Sequence, residues 1–159
     1  MGTTRYGTRL SIKKSQLDSI GGGSSVDNES FRADQVYMNM VNKSGGTIAK
    51  GIMVRHVDGT VTGVQPCDDG SASSKTAVGV TLASSANDAA VQVAYGGKAQ
   101  VLVAGGVNLS EGEVFKPDAN GKASVGGGGN AFGYLLEDGD QSGGGDALKW
   151  ASILIAEQG

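Results

Sequence analysis

Residues 91–103 read VQVAYGGKAQVLV, two runs rich in valine and alternating with polar residues, separated by a pair of glycines. Branched and alternating runs favour β-strands, and glycine favours a turn between them. A three-residue loop from Gly96 to Lys98 would set Val93 opposite Val101 and give the pair one continuous apolar face, whereas a shorter loop would mix apolar and polar residues on both faces. The sequence therefore predicts a hairpin here, at the centre of an all-β domain.

Other short β-rich runs lie on both sides of this segment, and turn residues separate them. Asp58-Gly59 favours a two-residue hairpin turn in which Val57 faces Thr60 and His56 faces Val61. Strands of about six residues with turn signals about every 8–12 residues predict a small barrel or sandwich. The further predicted strands are residues 36–41, 52–57, 76–82, 132–136 and 148–155.

The composition fits one small β core with generous loops. Of the 159 residues, 34 are Leu, Ile, Val or Phe, about a fifth of the chain, while 28 are Gly. The net charge of −3 is divided unevenly, with +4 in residues 1–55 and −7 in residues 56–159. We therefore expect a β domain over residues 35–159, preceded by a partly basic arm over residues 1–34 that meets an acidic partner.

The arm ends in a flexible linker, because residues 21–30 read GGGSSVDNES. Before it, basic and apolar residues alternate without a pattern long enough to fold alone. Two interpretations stay open, an attachment segment and a disordered tail. Nucleic acid is not expected as a partner, because the basic residues are dispersed and the acidic body would repel phosphates.

No reaction is predicted from the residues that usually perform chemistry. His56 is the only histidine and has no second base or ligand near it in sequence. Cys67 is the only cysteine, so the chain has no internal disulfide, and the carboxylates beside it disfavour its thiolate. Trp150, within a strand, is expected in the core. We expect a protein that is not an enzyme, needs no cofactor and holds no metal.

The loop at residues 138–146 is the one segment that resembles a metal site. Asp138, Asp140 and Ser142 have the spacing of a calcium loop, but Lys149 stands where a bidentate glutamate belongs. A solvated acidic turn is the competing interpretation and is the one expected here. No apolar run approaches the length of a membrane helix and the N-terminus has no signal-peptide core, so we expect synthesis in the cytoplasm and no membrane partner.

Residues 43–54, KSGGTIAKGIMV, open a series of glycine-and-valine patterns that resembles the capsid decoration (cement) proteins of tailed bacteriophages. The series continues in order through residues 77–80, 91–97, 112–121 and 132–136. The resemblance implies a barrel-like domain on the outer surface of the virion capsid. It would be a homotrimer that clamps neighbouring subunits of the major capsid protein, and the family has no catalytic residues to transfer.

Within that interpretation the arm is the segment expected to bind the capsid. An extended segment can add backbone hydrogen bonds to a partner's sheet edge, and three weak arms on one trimer would give firm attachment. The alternative is a receptor- or glycan-binding module of a phage tail or fibre, in which loops 67–75, 126–131 and 137–146 form the contact surface. The residues expected to bind the capsid are Arg5, Tyr6, Arg9, Leu10, Ile12, Lys13 and Lys14.

Overall fold

The computed structural model describes residues 35–68, 77–126 and 131–153, and these contain strands but no helix. The predicted all-β class is therefore confirmed. The strands are β1 (Gln35–Asn42), β2 (Met53–His56), β3 (Gly63–Pro66), β4 (Ala77–Thr81), β5 (Ala90–Val103), β6 (Val114–Pro117), β7 (Ala123–Val125), β8 (Gly133–Leu135) and β9 (Ala147–Ile153).

Five of these strands close into a barrel. Hydrogen-bonded neighbours run β1-β3-β2-β4-β5, and β5 pairs back with β1. The remaining strands extend the sheet in the order β7-β6-β8-β9 from β5, and β9 also pairs with β5. Strand β5 is thus common to two closed circuits of pairing, and closure leaves few backbone groups exposed at strand edges.

The predicted hairpin at residues 91–103 is wrong, because the whole segment forms the single long strand β5. Before Gly97 the strand pairs with β1, and after it with β9, so Gly97 faces Gln35 on one side and Ile153 on the other. Gly97 has φ +79°, a conformation that glycine adopts without strain. The glycines therefore change the strand's neighbours rather than reversing its direction, so Val93 and Val101 do not face each other.

Two groups of buried side chains form the interior, and β2, β4 and β5 form the wall between them. Successive residues of a strand point to opposite sides, so Val54 belongs to one group and Met53 to the other. The first core comprises Met40, Ile48, Ile52, Val54, Val64, Val91 and Val93. The second core comprises Met53, Cys67, Val80, Ala94, Ala99, Val101, Val103, Leu109, Phe115, Ala123, Phe132, Leu135, Ala151 and Ile153.

The hairpin between β2 and β3 exists, but its predicted register is wrong. His56 pairs with Val64 rather than Val61, so the connection is longer than two residues. A two-residue turn of the expected type needs positive φ at both central positions, and of the two only Gly59 (φ +76°) has it. The side chain of Val61 is consequently 87% exposed, and His56 is exposed rather than partly buried.

Sequence patterns placed most strands within two residues and missed β6 and β7. Predicted strands 36–41, 76–82 and 132–136 correspond to β1, β4 and β8, and 148–155 overlaps β9 over its described part. Strands β6 and β7 are not among the predicted strands. They are four and three residues long and contain little alternation, whereas the equally short β8 lies within the longer apolar run 132–136.

Candidate functional site

The predicted capsid-binding residues lie outside the described part of the chain. Their role therefore stays a prediction, as does the boundary between arm and body after residue 34. The seven residues are Arg5, Tyr6, Arg9, Leu10, Ile12, Lys13 and Lys14.

Three buried polar side chains, Asn42, Thr81 and Ser85, hold the loops at one end of the first core. Asn42 is fully buried, and its Nδ2 donates to the carbonyls of Gly46 and Ser85, both at 2.8 Å. Its Oδ1 accepts from the amide of Ser44 at 2.9 Å. Every polar group of this side chain is therefore hydrogen-bonded, and these bonds hold the loop that follows β1.

Thr81, the last residue of β4, plays a similar part and connects β4 to the segment before β2. Its Oγ1 donates to the carbonyl of Ala49 at 2.7 Å and accepts from the amide of Ile52 at 3.0 Å. The neighbouring Asp88 is the one non-glycine residue with positive φ among the residues described, and it forms an ion pair with Lys43 at 2.6 Å. Together these contacts connect the loops at this end of the barrel to its strands.

An apolar strip lies on the side of the sheet that faces away from the second core. Along β9, Ala151 and Ile153 are buried while Leu148 and Trp150 alternate with them and face outward. The register sets Tyr134 opposite Val114, and Leu136 donates its amide to the carbonyl of Trp150. We call this set the outer strip; its members are Val114, Tyr134, Leu136, Leu148 and Trp150.

Three members of the outer strip are notably exposed: Val114 at 42%, Tyr134 at 37% and Leu148 at 38%. Trp150, expected in the core, belongs to neither core and is half-buried. Aromatic residues in such positions are enriched at protein interfaces. Sequence reasoning missed this surface, although the alternation of residues 148–153 between two apolar faces was a signal that both sides of β9 contact something.

The acidic loop at residues 138–146 has the contacts of a hydrogen-bonded turn. Asp138 accepts from the amide of Asp140 at 3.1 Å, and Asp140 accepts from the amide of Ser142 at 2.8 Å. The hydrogen bonds from the Ser142 side chain and amide lower the pKa of Asp140. Among the described ranges no group of three or more carboxylate, thiol or imidazole side chains is arranged to hold a metal ion.

Asp146 at the end of this loop connects two parts of the second circuit. Its Oδ2 lies 2.7 Å from Lys122 Nζ, and its Oδ1 accepts from the amide of Gly105 at 2.9 Å. These two contacts, that of Lys122 first, lower the pKa of Asp146. The Asp146 carboxylate therefore has a structural role, because it connects Lys122 and Gly105.

Cys67 is buried in the second core, and its environment disfavours the thiolate more than the sequence indicated. Burial raises the pKa of the thiol to about 12, opposed by nearby Arg55 and assisted in a minor way by Asp68. Desolvation rather than the neighbouring carboxylate is thus the main cause. The guanidinium of Arg55 lies 3.5 Å from Asp68 and also faces the side chain of Gln65.

Comparison with known proteins finds a similar structure but no similar sequence family. No protein-family model matches the sequence, and no curated protein matches it. Among solved structures, the chain is similar to the base of the bacteriophage phi29 head fibre, the N base of gp8.5, with a TM-score of 0.55 and 17% identity. The match covers 76% of this chain and 95% of that chain, so the two proteins share a fold. No helix in the described residues is both long and apolar enough to cross a membrane.

Proposed function

We propose that this protein is a structural component of a phage virion that binds the outer surface of the head. The observation that supports this most is the shared fold with a head-fibre base over 95% of that neighbour. The family resemblance of the sequence is to head decoration proteins, so both lines of argument lead to a head-associated protein. The body contributes a closed, hydrogen-bonded β structure, which suits a component that must survive outside the cell.

The finer part of the proposal concerns attachment and clamping. The arm, residues 1–34, binds the major capsid protein, and the body holds neighbouring capsid subunits together as a homotrimer. A trimer is favoured by the small apolar share of the chain, because association buries more apolar surface than one body can bury alone. No catalytic role, cofactor, nucleic acid or membrane enters this proposal.

Deleting residues 2–20 tests the role of the arm. We expect the truncated body to fold and remain soluble but to lose co-sedimentation with purified empty heads, because the basic and apolar attachment residues are gone. A full-length variant with Arg5, Arg9, Lys13 and Lys14 changed to Gln separates charge from length. A body variant with Lys116→Gln and Lys149→Gln is the control for lost positive charge and should bind normally. Unchanged head binding by the truncated protein would refute attachment through the arm.

The head-fibre neighbour supports a second candidate function, the base of a head fibre without a clamping role. The two candidates differ in their effect on the head itself. A clamp raises the temperature at which saturated heads break open, because it is bound preferentially to the intact form. A fibre base binds the same heads and leaves that temperature unchanged.

A further inference from the structure

Asn120-Gly121 is the only Asn-Gly pair in the sequence. An asparagine followed by glycine is the pair most prone to spontaneous loss of its side-chain amide, because the unhindered glycine nitrogen can reach the asparagine Cγ. The reaction requires the peptide between the two residues to rotate so that this nitrogen approaches Cγ. The local structure therefore determines whether the pair reacts.

In this protein both this peptide and the one that follows it are hydrogen-bonded. The amide of Gly121 donates to the carbonyl of Asp118 at 3.1 Å, and its carbonyl accepts from the amide of Met53 at 2.7 Å. The carboxylate of Asp118 also accepts from the amides of Asn120 and Lys122, both at 2.8 Å. Rotation of the Asn120–Gly121 peptide would break the hydrogen bond of the Gly121 amide within the turn, and the next peptide is anchored to β2 through the Gly121 carbonyl.

The surroundings of Gly121 also leave little room for this peptide to rotate. Gly121 is buried and has φ +75°, and an atom in the position of a Cβ would lie 2.5 Å from the carbonyl oxygen of Met53. Gly59, in the chemically related Asp58-Gly59 pair, has open space at that position. Its amide has no backbone hydrogen bond to any residue described. The peptide of Asp58-Gly59 is therefore freer to rotate than that of Asn120-Gly121.

We propose that Asn120-Gly121 is a latent modification site that the folded structure silences and that reacts when the turn between β6 and β7 opens. In the opened chain, the Gly121 nitrogen bonds to Asn120 Cγ while the bond from Cγ to Nδ2 breaks, and ammonia leaves with the amide proton. Water then opens the resulting succinimide ring and leaves aspartate or isoaspartate at position 120. This inference goes beyond the proposed function and does not depend on it.

Modification would prevent the turn from closing again in its original form. A carboxylate at position 120 lies beside that of Asp118, so the two charges repel. The isoaspartate product also adds a methylene to the main chain, which moves Gly121 out of register with Met53. Because neither product reverts spontaneously to asparagine, each opening of this turn gives a finite chance of permanent damage to the second circuit.

The test follows deamidation at position 120 by peptide mass mapping of the full-length protein kept in mildly alkaline buffer, native or in denaturing urea. We expect the native protein to react more than about tenfold more slowly, the factor that an opening free energy of ~1.4 kcal/mol supplies. Conversion of the Asp58-Gly59 pair to isoaspartate should differ little between the two conditions, which makes it an internal control. Equal rates at Asn120 in native and denatured protein would overturn the proposal.

Two variants sharpen the test. Asp118→Ala removes the carboxylate that holds the turn and should raise native deamidation at Asn120. Asp140→Ala removes a carboxylate that caps a loop amide elsewhere and should not. After ageing in urea, Asn120→Ala should refold more completely than the unmodified sequence aged equally. No advantage for Asn120→Ala would show that the modification is harmless and would contradict the second half of the proposal.

Discussion

The two cores on either side of β2, β4 and β5 are stabilised in different ways. The first core is small and aliphatic, and fully buried polar side chains at its end, Asn42 and Thr81, are completely hydrogen-bonded. The second is larger and contains Phe115 and Phe132, whose ring centroids lie 6.3 Å apart. The first therefore depends on exact polar pairing, whereas the second depends on apolar volume.

Charge introduced into either core should have the largest effect. Val93 belongs to the first core and Val101 to the second, and both are 0% exposed. Val93→Asp or Val101→Asp buries an unpaired carboxylate, so each should cost more than about 4 kcal/mol of unfolding free energy, a large share of a domain's total. Chemical denaturation measures this. Gln92→Asp, at an exposed position of the same strand, is the control, and a comparable loss there would show that the assigned faces of β5 are wrong.

Added volume at the closest strand contacts should come next. A Cβ at Gly79 would overlap the carbonyl of Ala94 in the shared wall, and one at Gly133 would overlap the carbonyl of Ser152 in the second circuit. Gly79→Ala and Gly133→Ala should each cost about 2–3 kcal/mol, because backbone atoms cannot rotate away. Thermal melts provide the measurement. Gly143→Ala, where a Cβ meets nothing, should melt as the unmodified protein does, and a normal melt for Gly79→Ala would contradict the close strand contact.

Replacing a hydroxyl by a methyl group at the first core, or a methyl by a hydroxyl in the second, should destabilise the protein by similar amounts. Thr81→Val leaves the amide of Ile52 and the carbonyl of Ala49 without their partner and should cost about 1–3 kcal/mol. Val101→Thr buries a hydroxyl in an apolar core and should cost a similar amount. Thr81→Ser keeps the hydroxyl and should lose about 1 kcal/mol. If Thr81→Val proved more stable than Thr81→Ser in denaturant titrations, polar pairing would not stabilise the first core.

The contact between Asp146 and Lys122 should have the smallest effect and depends on pH. The folded-state pKa of Asp146 is lowered, so its stabilisation is present above its ordinary pKa and is lost as the pH falls through the lowered folded value. Because the Asp146 side chain is 39% exposed, the contribution should stay below about 1 kcal/mol. The stability difference between the unmodified protein and Asp146→Asn should shrink in acid. A difference that grows in acid would contradict this contact.

Much of the fold could be predicted from the alternation of apolar residues. Val93 and Val101 are both buried, as predicted, but they lie in different cores rather than on one apolar face. The pairing of β5 with β1 skips Tyr95, and this irregularity interrupts the alternation between the two valines. A glycine pair permits both a reversal and a continued strand. Pairing of β5 with β1 and β9 decides between them, and these partners lie about 50 residues away in either direction, beyond the reach of local patterns.

The candidate site was less predictable than the fold. The outer strip consists of residues from β6, from β8 and the position after it, and from β9, which become neighbours only when the second circuit closes. Asp146 could be recognised as acidic but not as the partner of Lys122, since the two meet through tertiary structure. The arm was identified from composition alone, and its function stays a prediction.

A reconstruction of empty heads saturated with this protein tests the proposed function most directly. The account predicts β bodies on the outer surface, grouped in threes, each connected to the major capsid protein through its N-terminal arm. It also predicts that heads incubated with protein lacking residues 2–20 show no added density. The proposed function would be contradicted if heads incubated with excess protein showed no external density. It would also be contradicted if the bodies were attached singly with the arm away from the capsid.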